Sequence, residues 1–451
     1  MKFTNLTRNT EIGANCYLLE INGKNIVIDA GLHPREEGTA ALPNLQAIHG
    51  LNIDAIFASH SHLDHIGSLP VLQSQHPEAR VFMSQATVLL AEAMLHNCVN
   101  VMVKKREELG IPDYPFFTHR QVKNLSDQWH SCPLNIRMTL DGRRCGGEKR
   151  PDEVVFTLFD AGHILGSVGI LIEYAGKKVF YTGDVQFEAQ TISQPANFPL
   201  DGIDLLIAET TRGNKARSDG YTRKGEANRL AQAVSSVFQR GGCVLMPMFA
   251  LGRTQEMLFL FHELMGNGKM PQSPIYIGGL SGKLSMLYDR LRRQSIFRQV
   301  APQVLTGRDV GRFTPRRGSI YAMSSGMMTE NTLSNIFASN ILPDPMHAVF
   351  FIGYTDPNSP AGHVRATTKG EAVLLNQQAG SIKRNCEIQE FDFSAHAPRH
   401  AILEYILATQ PRKAILIHGE LPSIQWFTES LKASDENIEV IIPESNQPIV
   451  L

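Results

Sequence analysis

Short apolar runs broken by turn residues fill the first part of the chain. Residues 16–21 and 26–29, joined by Asn22-Gly23-Lys24-Asn25, read as strand, tight turn and strand. Residues 53–59 form another apolar run that ends in the polar stretch 60–65. Beyond it Ile66, Leu69, Val71 and Leu72 mark one face of a helix. Residues 154–159 and 178–181 read as further strands, and Gly162-His163 and Gly183-Asp184 follow them. From about residue 203 the rhythm changes. Residues 203–208, 243–246, 275–277, 319–323 and 348–352 are continuous apolar runs, and helical spacing appears at Gln255, Leu258, Phe261 and Leu264 and over 284–291. Buried strands alternating with helices predict a mostly parallel α/β sheet. Residues 388–393, 414–417 and 438–442 are short strands again. Residues 96–152 break the rhythm: polar and irregular, with Lys104-Lys105-Arg106 and Arg143-Arg144, they read as a surface excursion or part of a binding groove.

A chain of 451 residues exceeds one ordinary core and predicts two or three domains. Lys and Arg total 43 against 44 Asp and Glu, a formal charge of -1, which excludes an overall basic nucleic-acid coat but leaves room for a local basic groove. Arg290, Arg292 and Arg293, with Arg308, Arg312, Arg316 and Arg317, offer such local charge, either as an RNA track or as a solvated helix face. The six cysteines, Cys16, Cys98, Cys132, Cys145, Cys243 and Cys386, include no C-x-x-C pair, so neither a zinc ribbon nor a redox dithiol is signalled and reduced thiols are expected. The polar N-terminus shows no signal peptide, and no run of eighteen apolar residues predicts a membrane span, so a cytoplasmic enzyme without a membrane partner is expected.

Sixteen histidines are more than packing needs, and their placement carries the chemistry. His60-Ser61-His62-Leu63-Asp64-His65 puts four metal-capable side chains within six residues, directly after a strand. In extended backbone His60 and His62 point the same way and can share one ion. Asp64 and His65 fall at a helix start, free to turn toward a second. Imidazole with carboxylate suits zinc or another first-row divalent metal; a polar surface loop is the bland alternative. His163, Asp184 and His418 each follow a strand, and a site at one edge of a sheet sandwich requires that shared position.

Together with Asp29, these elements resemble the metallo-β-lactamase fold. Further stretches resemble its β-CASP branch: Glu209-Thr210-Thr211 its motif A, Pro247-Met248-Phe249-Ala250-Leu251-Gly252-Arg253-Thr254-Gln255-Glu256 its P-x-F-A-x-G-R-x-Q-E run, and Ser324-Ser325-Gly326-Met327 its S-S-G-M turn. Phe393-Ser394-Ala395-His396 resembles motif B, and Ile417-His418-Gly419-Glu420 motif C. The branch includes bacterial ribonuclease J and the eukaryotic pre-mRNA 3′-end endonuclease. The resemblance implies an α/β chain in which an αββα sandwich, 1–205 and 390–451, carries an inserted β-CASP α/β domain, 206–389, over a cleft. The chain stops soon after motif C, so a short form lacking a C-terminal extension is expected.

The implied activity is two-metal hydrolysis of phosphodiester bonds in single-stranded RNA, for processing or decay, in endonucleolytic or 5′-exonucleolytic mode. His60, His62 and His163 would hold one divalent ion and Asp64, His65 and His418 the other, with Asp184 between them. Zinc is the first choice and manganese the alternative. Asp29 would orient a ligand imidazole. His396 would protonate the leaving oxygen, with Glu209 orienting it. Ser324, Ser325, Gly326 and Arg365 would contact substrate phosphate. A homodimer or a larger RNA-processing complex is the implied assembly. Met328-Thr329-Glu330-Asn331 and Gly362-His363-Val364-Arg365 depart from the family pattern on the substrate side. A DNA-directed nuclease and an inactive RNA-binding relative are the competing readings.

Overall fold

The computed structural model describes residues 1–146, 153–306, 313–377 and 380–450. Arg308 and Arg312 lie outside the described residues. The chain forms two compact units. The first comprises Met1–Ala189, Ser193–Arg217 and His396–Leu451, and the second Gln190–Ile192 and Ser218–Ala395.

The first unit is a sandwich of two seven-stranded sheets. One sheet runs Pro448–Val450, Lys2–Asn5, Tyr17–Ile21, Lys24–Ile28, Ala55–Phe57, Arg80–Ser84 and His130–Cys132. The other runs Glu439–Ile441, Lys413–Ile417, Leu205–Glu209, Lys177–Tyr181, Val168–Tyr174, Val155–Asp160 and Met138–Thr139. Alternate strand residues face inward and fill the space between the sheets: Phe3, Leu19, Ile28, Phe57, Phe82, Phe156, Ile170, Ile207 and Ile415 share one core. Phe57 lies edge-on to Phe156 with ring centroids 4.7 Å apart. Helices Arg399–Thr409 and Leu421–Ser434 cover the outer face of the second sheet through Ile402, Ile406, Ile424 and Phe427, packed with Phe180 and Leu206.

Strand direction collects the chemistry. Val155–Asp160 and Lys177–Tyr181 are both antiparallel to Val168–Tyr174, and Leu205–Glu209 and Lys413–Ile417 run parallel to Lys177–Tyr181. All four therefore end on one edge of the sheet. His163, Asp184, Glu209 and His418 stand at or just after those ends.

Two expectations change here. Residues 96–146 are less irregular than their polarity suggests, because Gln85–Leu109 is one long helix, capped by Ser84 accepting from Thr87 N–H, and His119–Ser126 is another with a Thr118 capping box; 147–152 lie outside the described residues. Gln85–Leu109 is also long and apolar enough to cross a membrane, although no eighteen-residue apolar run announces it, and half of its most apolar eighteen-residue stretch is buried. Its buried Leu90, Ala91, Met94, Leu95, Cys98, Val99 and Met102 recur at three- and four-residue spacing, the pattern of a core helix.

The second unit is built on a parallel six-stranded sheet ordered Gln303–Leu305, Ile275–Gly278, Ile320–Met323, Val244–Pro247, Ala348–Ile352 and Glu387–Phe391. Helices Arg223–Gln239 and Arg253–Gly266 bury Leu230, Val234, Leu258 and Phe261 against it. The unit runs from Ser218 to Ala395 rather than over 206–389. Leu205–Glu209 is a central strand of the first unit's second sheet, and Phe391 and Phe393 belong to the second unit's core.

Candidate metal centre

Strand Ala55–Phe57 delivers the histidine run to the sheet edge. His62 keeps extended backbone (φ -72, ψ 148) and caps the short helix Leu63–Ile66, so the chain turns between His62 and Asp64. His60 and His62 stay on one side, with His60 Nε2 and His62 Nδ1 3.0 Å apart. His163 Nε2 reaches the same His62 nitrogen at 3.2 Å. Past the turn, His418 Nε2 and His65 Nε2 lie 3.4 and 3.7 Å from Asp64 Oδ2. Among the described residues two donor groups lie side by side, His60, His62, His163 and Asp184, and Asp64, His65 and His418, and a third overlaps them through Asp184, Glu209 and His418.

Asp184 stands between them. Its Oδ2 is 3.5 Å from His60 Nε2 and 3.6 Å from His163 Nε2. Its Oδ1 is 3.4 Å from His65 Nε2 and 3.3 Å from His418 Nδ1. The carboxylate is buried, and Oδ1 has no hydrogen-bond partner. A buried carboxylate oxygen without a donor is costly unless a cation satisfies it. Five imidazoles and two carboxylates around that oxygen fit two divalent ions.

Outer hydrogen bonds fix the ligands. Asp29 sits just beyond strand Lys24–Ile28 with φ 60. Its Oδ2 takes His65 Nδ1 at 2.7 Å, Tyr181 Oη at 2.6 Å and Ser59 Oγ at 2.8 Å, and its Oδ1 takes Ser59 N–H at 2.7 Å. That arrangement places the His65 proton on Nδ1 and turns Nε2 toward the donor set. Thr211 Oγ1 is 2.9 Å from His418 Nδ1. Ser59, Tyr181 and Thr211 were not singled out in the sequence. A hydroxyl residue next to a predicted ligand is the signal that could have found Ser59; Thr211 stands inside the stretch that resembles motif A, and Tyr181, across the sandwich, offers none.

Glu209 and His396 meet, although 187 positions separate them. His396 Nδ1 lies 3.0 Å from Glu209 Oε2, and Glu209 Oε1 also accepts Val185 N–H at 2.7 Å. His396 Nε2 is 4.0 Å from Asp184 Oδ2, and its ring centroid is 4.6 Å from that of His163. The imidazole is partly exposed while Glu209 is buried.

Burial and neighbouring charge set the protonation of three groups here. Burial, with His65 nearby, holds His60 well below the ordinary imidazole value and keeps its lone pair available. Burial would raise Asp184, but His418, His65, His60 and His396 outweigh it and hold the carboxyl well below its usual range. Burial would lower His396, but Glu209 and Asp184 raise it. Asp184 is thus held ionised, and Asp64 is lowered in the same way by His65 and His418, the state a cation site needs.

Ser324, Ser325, Gly326 and Arg365 belong to the second unit and not to this cluster. The Ser325 carbonyl accepts Ser334 Oγ–H at 2.6 Å, and Ser325 Oγ accepts Thr329 N–H at 3.1 Å. Arg365, on helix Pro360–Ala366, lies 3.5 Å from Glu390.

Residues 9–229 match the metallo-beta-lactamase superfamily, 254–364 the Beta-Casp domain, and 381–443 the Zn-dependent metallo-hydrolase RNA specificity domain. The chain is 28% identical to endoribonuclease YSH1 of Saccharomyces cerevisiae over 473 residues, covering 98% of this chain and 58% of the relative. It is 30% identical to cleavage and polyadenylation specificity factor 73 of Drosophila melanogaster over 427 residues, covering 91% of this chain and 58% of the relative. The chain thus spans less than two thirds of the length of these relatives. A crystal structure of a protein of unknown function from Enterococcus faecalis V583 shares the fold, with a TM-score of 0.58 at 12% identity, covering 100% of this chain and 99% of that one. The three matched domains in this order, the two-sheet sandwich with its inserted parallel-sheet unit, and the histidine–aspartate cluster at the sandwich edge lead to one assignment: the chain belongs to the β-CASP branch of the metallo-β-lactamase superfamily.

Proposed function

We propose that this protein is a metal-dependent ribonuclease that hydrolyses phosphodiester bonds within single-stranded RNA. The observation that carries the reading is Asp184, whose two oxygens face two separate donor groups while His396 approaches Oδ2. His60, His62 and His163 would hold one divalent ion, Asp64, His65 and His418 the other, and Asp184 would serve both. Zinc suits this imidazole-rich set, with manganese as the alternative. Bound there, two ions supply acidified water and neutralise charge on the phosphate oxygens.

The protein's own groups do the rest. Asp29 holds His65 in the tautomer that presents Nε2. Glu209 takes the Nδ1 side of His396, which leaves Nε2 to donate a proton as water oxygen bonds to phosphorus and the bond from phosphorus to the 3′-oxygen breaks. The proton goes to that 3′-oxygen. Ser324, Ser325, Gly326 and Arg365 would contact phosphates. RNA and cutting inside the chain are favoured by the similarity to endoribonucleases and by the match to an RNA specificity domain. Action within an RNA-processing complex, or as a homodimer, belongs to the same proposal.

A timed digest of 5′-labelled and internally labelled single-stranded RNA tests it. Internal fragments that vanish when a chelator is added are expected. Mononucleotide release from the 5′ end would overturn the endonucleolytic mode. Equal cutting of matched DNA would overturn the RNA preference, and activity indifferent to chelation the metal dependence.

A further inference from the structure

We propose that Asn15 is a positioning residue for the second donor set: its amide clamps the turn that carries Asp64 and His65. This rests on reading Asp64, His65 and His418 as ligands of one ion. Asn15 is fully buried just before strand Tyr17–Ile21. Its backbone N–H and its side-chain Nδ2 both donate to the Asp64 carbonyl oxygen, each at 2.9 Å. A carbonyl oxygen can only accept, so the nitrogen end of the amide is fixed there. The Tyr17 hydroxyl completes the arrangement by donating to Asn15 Oδ1 at 2.9 Å.

The same Nδ2 lies 3.2 Å from His65 Nε2. In the neutral imidazole, the form a cation requires, the Nδ1 proton goes to Asp29, Nε2 carries a lone pair, and the second amide hydrogen meets it. Asn15 therefore touches the Asp64–His65 turn at two points. The opposite side of the turn is closed by backbone. Ala30 N–H donates to His65 O at 2.7 Å and Leu32 N–H to Leu63 O at 2.8 Å. A Cβ on Gly31 would sit 1.7 Å from Asp64 O, so the turn has no slack on that side.

Asn15 has two opposed effects on cation affinity. Its bond to His65 Nε2 competes with a cation for that lone pair, and one buried hydrogen bond of ordinary net worth corresponds to about fivefold. Its hold on the Asp64 carbonyl pre-aligns two ligands, and loss of such an outer partner typically weakens metal binding by about 10- to 100-fold. Alignment wins, so removing the amide loosens one ion.

Zinc competition against chelators of graded strength, on the full chain, tests this with no reliance on turnover. Asn15→Ala should release one of the two ions about tenfold or more readily and leave the other unchanged. Tyr17→Phe, which removes only the hydroxyl that orients the amide, should weaken the same ion by less, and it carries the test if Asn15→Ala does not fold. Two ions held by both variants as tightly as by the wild type would overturn the proposal. So would equal loss of both ions in Asn15→Ala with Tyr17→Phe unchanged, since that is general damage. A wild-type chain that binds no zinc would instead break the two-ion reading.

Discussion

The edge of the sandwich and the interior of the second unit both bury charge, but they use it differently. At the edge, Asp184 keeps one oxygen without a donor and five imidazoles converge on it and Asp64. In the second unit, buried Arg253 donates to the Phe393 carbonyl and to Gln190 Oε1, while Glu256 accepts Ile192 N–H at 3.0 Å and pairs with Arg223. The difference teaches how to tell a working cluster from a bracing one. In the bracing cluster both Glu256 oxygens accept backbone N–H groups and only a donor, Arg253 Nε, lacks a partner, whereas a cluster built for a cation leaves an acceptor waiting.

The largest expected effect comes from filling the waiting acceptor with the wrong chemistry. Asp184→Asn keeps the shape but replaces a shared anion with a neutral amide. Purified variant should lose most of its metal by elemental analysis, and RNA cleavage should fall to background. Full metal content with full activity would remove Asp184 from the site.

Next is the proton donor. His396→Ala should keep its metals and still bind RNA, yet lose about a hundredfold or more in turnover. A substrate with a bridging 3′-sulfur needs no proton on its leaving group. The variant should recover most of its rate on that substrate, and Asp184→Asn should not. Equal loss on both substrates would make His396 a holder of metal or phosphate instead.

The bracing cluster predicts the reverse pattern. Arg253→Met removes donors from the Phe393 carbonyl and Gln190 and leaves Glu256 with less positive charge nearby. Each buried group left unsatisfied costs about 1–3 kcal/mol. The thermal midpoint should drop by several degrees while the metal content per folded chain stays the same. Metal loss at an unchanged midpoint would mean that the two clusters are not separable in this way.

The same contrast explains what could be read from the sequence. The proposed metal ligands lie in one dense run and three strand ends, and strand-end positions survive errors of a residue or two in the strands themselves. Glu209 and His396 were readable through the family motifs, not through spacing, because 187 positions separate them. Asn15 and Tyr181 carry no mark in the sequence: Asn and Tyr are common, and their role is defined by which atoms they meet far along the chain. The strand Val168–Tyr174 escaped notice although it reverses the second sheet and so brings His163 and Asp184 to one edge. That Leu205–Glu209 belongs to the sandwich is hidden for a related reason. An apolar strand such as Leu205–Glu209 carries no mark of which sheet it will join.

The smallest effect concerns a histidine that binds nothing in the cluster. His347 is buried in the second unit, where its Nδ1 accepts Cys243 N–H at 3.2 Å. Burial lowers its pKa, Arg240 and Arg317 lower it further, and Asp344 at 3.6 Å only partly offsets them. The folded chain therefore keeps His347 neutral at a pH where the unfolded chain has begun to protonate it. The sign follows: the stabilisation is fully present above the ordinary imidazole value of about 6.5 and is lost as pH falls toward the lower folded value. One proton limits the slope to about 1.4 kcal/mol per pH unit. His347→Gln keeps an acceptor for Cys243 N–H and removes the titration. Denaturant unfolding of both proteins, followed from about pH 7.5 to pH 5.5, should give a stability difference that is flat at the alkaline end and shrinks toward acid as the wild type loses its advantage. Every other titrating group is common to the two proteins and cancels in that difference. A difference that stays constant with pH would show that His347 titrates alike in the folded and unfolded chains.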